Sequence, residues 1–170
     1  EYLISVTNTD MYDQKEFYAG YGDTAIDLGA PGTDTYTIAL SSIDGPNEAY
    51  GEFGGTSGAT PHVAGAIALL YSAPAENIAK LAKDYPAATA RLIKKFIMDG
   101  TDSLKSLTKK TVSEGRLNVF NSMKLLIAYN DSTTGFSIND EKNNTADDFL
   151  IYPNPSSETF IVEYPPSIKV

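Results

Sequence analysis

The chain is 170 residues long and 42% apolar, and its 13 Lys and Arg against 22 Asp and Glu give a formal net charge of −9. That length suits one domain with a sizeable core and a smaller appendage, and the acidic balance argues against a nucleic-acid surface, whose phosphates select Lys and Arg. Cysteine is absent, which excludes thiolate chemistry, Cys-ligated zinc and disulfides here, and no apolar run reaches the about 18 residues of a membrane-spanning helix.

The first residues are Glu1 and then Leu3-Ile4-Ser5-Val6, a short apolar run expected to be a buried parallel strand. With no initiator methionine and no signal peptide before it, this stretch is expected to be an internal piece of a longer protein. Further strands are predicted at residues 25–28 and 35–39. The stretch Gly55-Thr56-Ser57-Gly58-Ala59-Thr60-Pro61-His62-Val63-Ala64-Gly65 then sets a hydroxyl among small residues where an apolar helix begins. Thr60 and Pro61 belong to the helix start, and Val63, Ile67, Leu69, Leu70 and Tyr71 make the following turns apolar on nearly every face, which predicts a buried helix. Ser57 is thereby placed at the positive end of a helix dipole, where unpaired N–H groups point toward any oxyanion that forms.

Residues Ala75 to Lys83 suit a short, weakly amphipathic helix. Pro86 suits the first turn of the next one, whose Leu92, Ile93, Phe96 and Ile97 form one apolar stripe, and Gly100 ends it. Asn118 is a candidate N-cap for a helix burying Val119, Phe120, Met123, Leu126 and Ile127. These stripes are core-facing rather than cofactor-binding. Strands followed by helices predict an α/β domain with a mostly parallel sheet flanked by helices.

The composition changes after Tyr129. Residues 130–148 hold five acidic residues against one lysine, with Phe136 and Ile138 as the large apolar anchors, and are expected to form a flexible linker. Two Asn-x-Ser/Thr triplets, at Asn130 and Asn143, are of the kind polar linkers produce by chance. Residues 149–155 and 159–164 alternate as two strands, and Pro153 and Pro155 force a turn between them, the expected start of a small β-sandwich over residues 149–170.

The segment from Gly55 to Gly65 resembles the serine motif of the subtilisin-like serine proteases, a Gly-Thr-Ser triplet followed by a small residue, a proline and His-Val-Ala-Gly. One position departs: Gly58 stands where the family usually has methionine, and a helical glycine costs about 0.5 to 1 kcal/mol relative to alanine. Leu3 to Val6 resembles the family's core strand, Phe17 to Gly22 its Phe-Ser-x-x-Gly turn, Asp27-Leu28-Gly29-Ala30-Pro31-Gly32 its Asp-x-x-Ala-Pro-Gly segment, and Gly115-Arg116-Leu117-Asn118-Val119 the opening of its last catalytic-domain helix.

The resemblance implies that residues 1–129 are the C-terminal part of a catalytic domain. Ser57 is then the nucleophile of a Ser-His-Asp triad acting on polypeptide substrates, and its backbone N–H is one oxyanion donor. Thr56 either lends its hydroxyl to that pocket or caps the helix. The histidine base, its aspartate and an oxyanion asparagine are expected upstream. His62, the one histidine of the chain, lies about 7.5 Å along the helix and about 140° around it from Ser57, and so should point away. Losing a single oxyanion donor costs about 2.7 to 4 kcal/mol within this family, so this stretch alone is expected to be inert. No cofactor is implied. Calcium, which family members often bind through carbonyls and scattered carboxylates, leaves no regular spacing to read.

Tyr152-Pro153-Asn154-Pro155 resembles the opening of the C-terminal sorting domain of the type IX secretion system. That resemblance implies a secreted or surface-attached parent and the secretion machinery as a partner. Two other readings of Ser57 compete. A nucleophile elbow of an α/β-hydrolase esterase would need a histidine downstream, and none follows His62. A surface binding module that has kept the fold and lost the chemistry has Gly58 as its one hint.

Overall fold

The computed structural model describes residues 2–38, 50–133, 150–153 and 160–163, with side chains only through residue 132. Strand β1 (Val6–Thr9) runs parallel to β2 (Leu28–Pro31), with Val6 opposite Leu28 and Thr9 opposite Pro31. The far edge of β2 pairs in parallel with β6 (Gly115–Arg116), which pairs antiparallel with β5 (Asp102–Ser103), giving the sheet order β1-β2-β6-β5.

Both leading strands lie three residues beyond their predicted positions. Hydropathy selects Leu3 to Val6, yet Leu3 is 77% exposed while Thr7, Asn8 and Thr9 are fully buried. Two of these polar residues are held inside by hydrogen bonds, from the Thr7 hydroxyl to the Gly20 carbonyl (2.7 Å) and from the Asn8 amide to the Thr33 hydroxyl (3.0 Å), while the Thr9 hydroxyl and Asn8 Oδ1 are buried without a partner among the described residues. The segments expected as strands are tied by charge. The Asp27 carboxylate accepts from the Ser5 N–H at 2.8 Å and pairs with Lys94 at 3.0 Å, and Lys94 also donates to the Leu3 carbonyl. This clamp joins the start of β1 and β2 to a helix more than sixty residues away.

The third predicted strand forms, as β3 (Thr35–Ile38), but stays out of the parallel sheet. It pairs antiparallel with β4 (Tyr50–Phe53), a strand the sequence pattern missed because Gly51 and Glu52 interrupt its apolar run.

Four helices follow: α1 (Thr56–Tyr71), α2 (Glu76–Asp84), α3 (Pro86–Asp99) and α4 (Val119–Thr133). Helix α1 lies on β1 and β2 and touches α3 and α4; α2, α3 and α4 pack on one another. The expected stripe Leu92, Ile93, Phe96 and Ile97 is buried throughout, and the Phe96 ring meets Tyr129 edge-on at 5.7 Å. Pro86 takes the first helical position of α3. Gly100 does end α3, but in a right-handed conformation, and a side chain there would strike Ser122 at 2.5 Å. The glycine therefore answers to the close approach of α4.

Asn118 caps α4 as expected, its side-chain oxygen accepting the Asn121 N–H at 3.0 Å, while its own amide is held by Asp102. Phe120 was expected inside and is 69% exposed beneath Lys124, whose ammonium lies 4.8 Å from its ring centre. Its place on the inner face is taken by Ser122, which bonds back to the Asn118 carbonyl.

Helix α4 continues to Thr133 and so carries the first residues of the polar stretch. Asn130 is buried and accepts the Asn77 N–H at 3.1 Å, which closes its Asn-x-Ser triplet to a glycan. Strand β7 (Leu150–Pro153) pairs antiparallel with β8 (Phe160–Glu163), with Leu150 opposite Glu163. Phe136, Ile138, Asn143 and the Asn154-Pro155 turn lie outside the described residues. Among the described residues no helix is long and apolar enough to cross a membrane.

Candidate active site

Helix α1 begins at Thr56, four residues before the position that Thr60 and Pro61 suggest. Its N-cap is Gly55, with φ 77° and ψ −166°, a backbone conformation that L residues with a Cβ avoid. Gly55 thus lets β4 turn abruptly through Gly54 into the helix. Pro61 falls in the second turn, where its missing N–H withholds the α-helical donor from the Ser57 carbonyl. The Thr60 hydroxyl donates to the Thr56 carbonyl at 2.8 Å.

Ser57 is the second helical residue and is exposed. The Gly58 and Ala59 amides both donate to the Gly55 carbonyl, at 2.9 and 3.1 Å. Among the described residues the Thr56 and Ser57 amides meet no acceptor, which leaves two N–H groups at the positive end of a 16-residue helix beside the Ser57 hydroxyl. This sets an exposed hydroxyl beside two unspent backbone donors that can stabilise an anion. Thr56 occupies the first helical position, and the cap carries no side-chain hydrogen bond, so capping is not the role of its hydroxyl.

His62 stands exposed one turn on, its Nδ1 2.9 Å from the Gly58 carbonyl and committed to its own helix. No imidazole or carboxylate of the described residues reaches Ser57. The expected burial of α1 holds on one side only, where Gly58, Ala59, Val63, Ala66 and Leu70 face the sheet. The opposite side is open: Leu69 is 54% exposed, and an apolar groove of about 560 Å³ runs between Pro61, Gly65 and Leu69 of α1 and Leu117 and Val119. Sequence alone cannot tell a helix enclosed on all sides from one whose second apolar face awaits a cover.

What seats the serine turn is the loop after β2. The Gly32 N–H donates to the Thr9 carbonyl at 3.0 Å, and a Cβ on Gly32 would lie 2.4 Å from the Gly55 carbonyl oxygen, 2.6 Å from Asn8 Oδ1 and 2.8 Å from the Ala59 nitrogen. The Ala-Pro-Gly segment therefore ends in glycine so that two loops can touch. Asn8 and Thr33, which brace that loop, carried no signal in the sequence beyond standing near it.

Gly58 is tightly seated but less closely confined than Gly32. A Cβ there would meet Thr35 Oγ1 at 3.0 Å and the Gly32 carbonyl at 3.2 Å. Thr35 in turn donates its hydroxyl to the Phe53 carbonyl, which closes the base of the β3–β4 hairpin beside the first turn of α1. Gly58→Met is accordingly expected to lower stability by about 1 to 3 kcal/mol through overpacking, measurable as a fall in the urea midpoint at unchanged m-value.

Known proteins carry the same pattern. The Subtilase family model matches residues 1–123. The chain is 44% identical over 78 residues to the thermophilic serine proteinase of Bacillus sp. strain AK1, covering 46% of this chain and 18% of that one. It is 41% identical over 69 residues to thermitase of Thermoactinomyces vulgaris, covering 41% and 22%. Among solved structures it superposes on the patellamide maturation protease PatA with a TM-score of 0.54 at 21% identity, covering 75% of this chain and 44% of that one. Fervidolysin from Fervidobacterium pennivorans gives 0.52 at 18% identity, covering 72% and 19%. These structures share the fold, a parallel sheet flanked by helices. The matches span less than a quarter of the length of either curated relative.

Proposed function

Because this chain belongs to the subtilase family, we propose that it supplies the nucleophile of a serine endopeptidase whose base and orienting carboxylate come from the rest of the domain. The observation that supports this is Ser57, exposed at the second position of α1 with its own amide and that of Thr56 unspent. In the proposed cycle the Ser57 Oγ attacks the scissile carbonyl of a polypeptide while a histidine from outside this chain takes its proton. The oxyanion is held by the Ser57 N–H and, in this proposal, by the Thr56 hydroxyl. The histidine returns the proton to the leaving amine, and water then hydrolyses the acyl-enzyme. No cofactor enters any step.

His62 takes no part as a base, since its ring is turned to Gly58. The isolated chain is thus proposed to be inactive. Fluorophosphonate labelling tests both statements. The full-length protein is expected to be labelled at Ser57 and the 170-residue chain is not. An unlabelled, folded full-length protein would instead support a binding module that has lost the chemistry.

The proposed setting is outside the cell, in keeping with the name of one relative, an extracellular protease of Xanthomonas campestris that is 36% identical over 93 residues. We further propose that residues 149–170 begin a sorting module read by the type IX secretion machinery, a reading supported by the Tyr152-Pro153-Asn154-Pro155 sequence and by the pairing of β7 with β8.

A further inference from the structure

The β3–β4 hairpin carries an aromatic surface that nothing in the proposed chemistry uses. Its register sets Tyr36 opposite Glu52 and Ile38 opposite Tyr50, and directly opposed residues share a face. One face of the hairpin is therefore Tyr36, Ile38, Tyr50 and Glu52. The Tyr36 and Tyr50 rings stack at 6.4 Å with 18° between their planes, yet are 70% and 57% exposed. Large apolar side chains left in water and stacked on one another form a platform rather than a scatter of surface residues.

Position and charge say what the platform receives. The hairpin base lies beside the serine turn, since Thr35 Oγ1 would be 3.0 Å from a Cβ built at Gly58, and β4 leads into Ser57 through three intervening residues, Gly54, Gly55 and Thr56. Among the described residues of 33–57 the charged ones are Asp34 and Glu52, with no lysine or arginine. A stacked tyrosine pair with a carboxylate on the same face matches a guanidinium, which lies flat on aromatic rings and pairs with carboxylates through its edge.

Building on the protease reading above, we propose that this platform binds an arginine of the polypeptide substrate. Tyr50 lies three residues before Phe53, about 10 Å along an extended strand, and seven residues before Ser57, so the arginine is sought three or more residues from the scissile bond. The contact selects substrates by binding, away from the reacting atoms, and so acts on KM more than on kcat.

The experiment uses the full-length protease and two peptide series, one with arginine and one with alanine at positions three to five from the cleaved bond, placed on either side of it, beside a tripeptide p-nitroanilide too short to reach the hairpin. The wild type is expected to favour an arginine peptide about tenfold in kcat/KM, through KM. The exposed double substitution Tyr36→Ser with Tyr50→Ser should erase that preference and leave the anilide unchanged, and Glu52→Lys should lower the arginine-to-alanine ratio. An arginine-to-alanine ratio that is the same in the double variant and the wild type overturns the proposal.

Binding separates this idea from the protease reading. Ser57→Ala protein should bind a fluorescein-labelled arginine peptide by anisotropy, and Tyr36→Ser with Tyr50→Ser should weaken that binding about tenfold, whether or not the parent cleaves anything. Binding that is absent, or that the two tyrosine substitutions do not change, sinks the platform while leaving the Ser57 labelling result untouched.

Discussion

Replacing Ser57 with alanine in the full-length protein is expected to lower kcat by about six orders of magnitude, because triad members act as a unit and removal of the nucleophile forfeits nearly all that they achieve together. The folded state should not register the change. Ser57 is exposed, its hydroxyl forms no hydrogen bond among the described residues, and alanine is the best helix former for the position. The thermal midpoint should therefore stay within a degree or so of the wild type, since surface changes away from special features stay within about 0.5 kcal/mol. Turnover retained in this variant would locate the nucleophile elsewhere and end the Ser57 assignment.

The second large effect is expected at Gly32, a buried residue that takes no part in the chemistry. In Gly32→Val the first added carbon would already sit 2.4 Å from the Gly55 oxygen and 2.8 Å from the Ala59 nitrogen. Both are backbone atoms of the turn that carries Ser57, so relief requires that turn to move rather than a side chain to swing aside. Overpacking of this kind costs about 3 kcal/mol, readable by denaturant unfolding. A displacement of about 1 Å at the serine costs about 10²-fold in kcat. A variant that loses stability while keeping full kcat would show that the loop after β2 does not position Ser57.

Gly55 contrasts with Gly32. Nothing lies within 4 Å of a Cβ built there, and its constraint is the positive φ alone. The two glycines flank the same contact and serve it differently, one by yielding space and the other by permitting a turn that β4 needs before α1 can begin.

The parts of this protein that were legible in its sequence are those with a local cause. The Leu92-Ile93-Phe96-Ile97 stripe is buried because helical periodicity turns those four residues to one side, and Asn118 caps α4 because a short side chain with an acceptor needs only the amide three residues on. Pro86 opens α3 for an equally local reason. The misplaced strands had a distant cause. Thr7 and Asn8 are polar and fully buried, and what makes this tolerable is supplied by Gly20 and Thr33, residues that no window around β1 contains. Phe120 shows the converse, an apolar residue outside because Ser122 fits the close approach to Gly100 where a ring would not.

By itself the sequence located the candidate serine and its neighbourhood, since a hydroxyl at a helix start among small residues is a statement about a few consecutive positions. The family match over residues 1–123 takes in that stretch and shows the family alone. Only the tertiary structure decided how the serine is held. Gly32 and Gly58 are small because β2, the β3–β4 hairpin and α1 converge on one point, and Asp27 and Lys94 are charged because they clamp segments far apart in the chain. Such requirements arise when distant segments meet, and they leave in the sequence a glycine or an aspartate whose reason lies elsewhere.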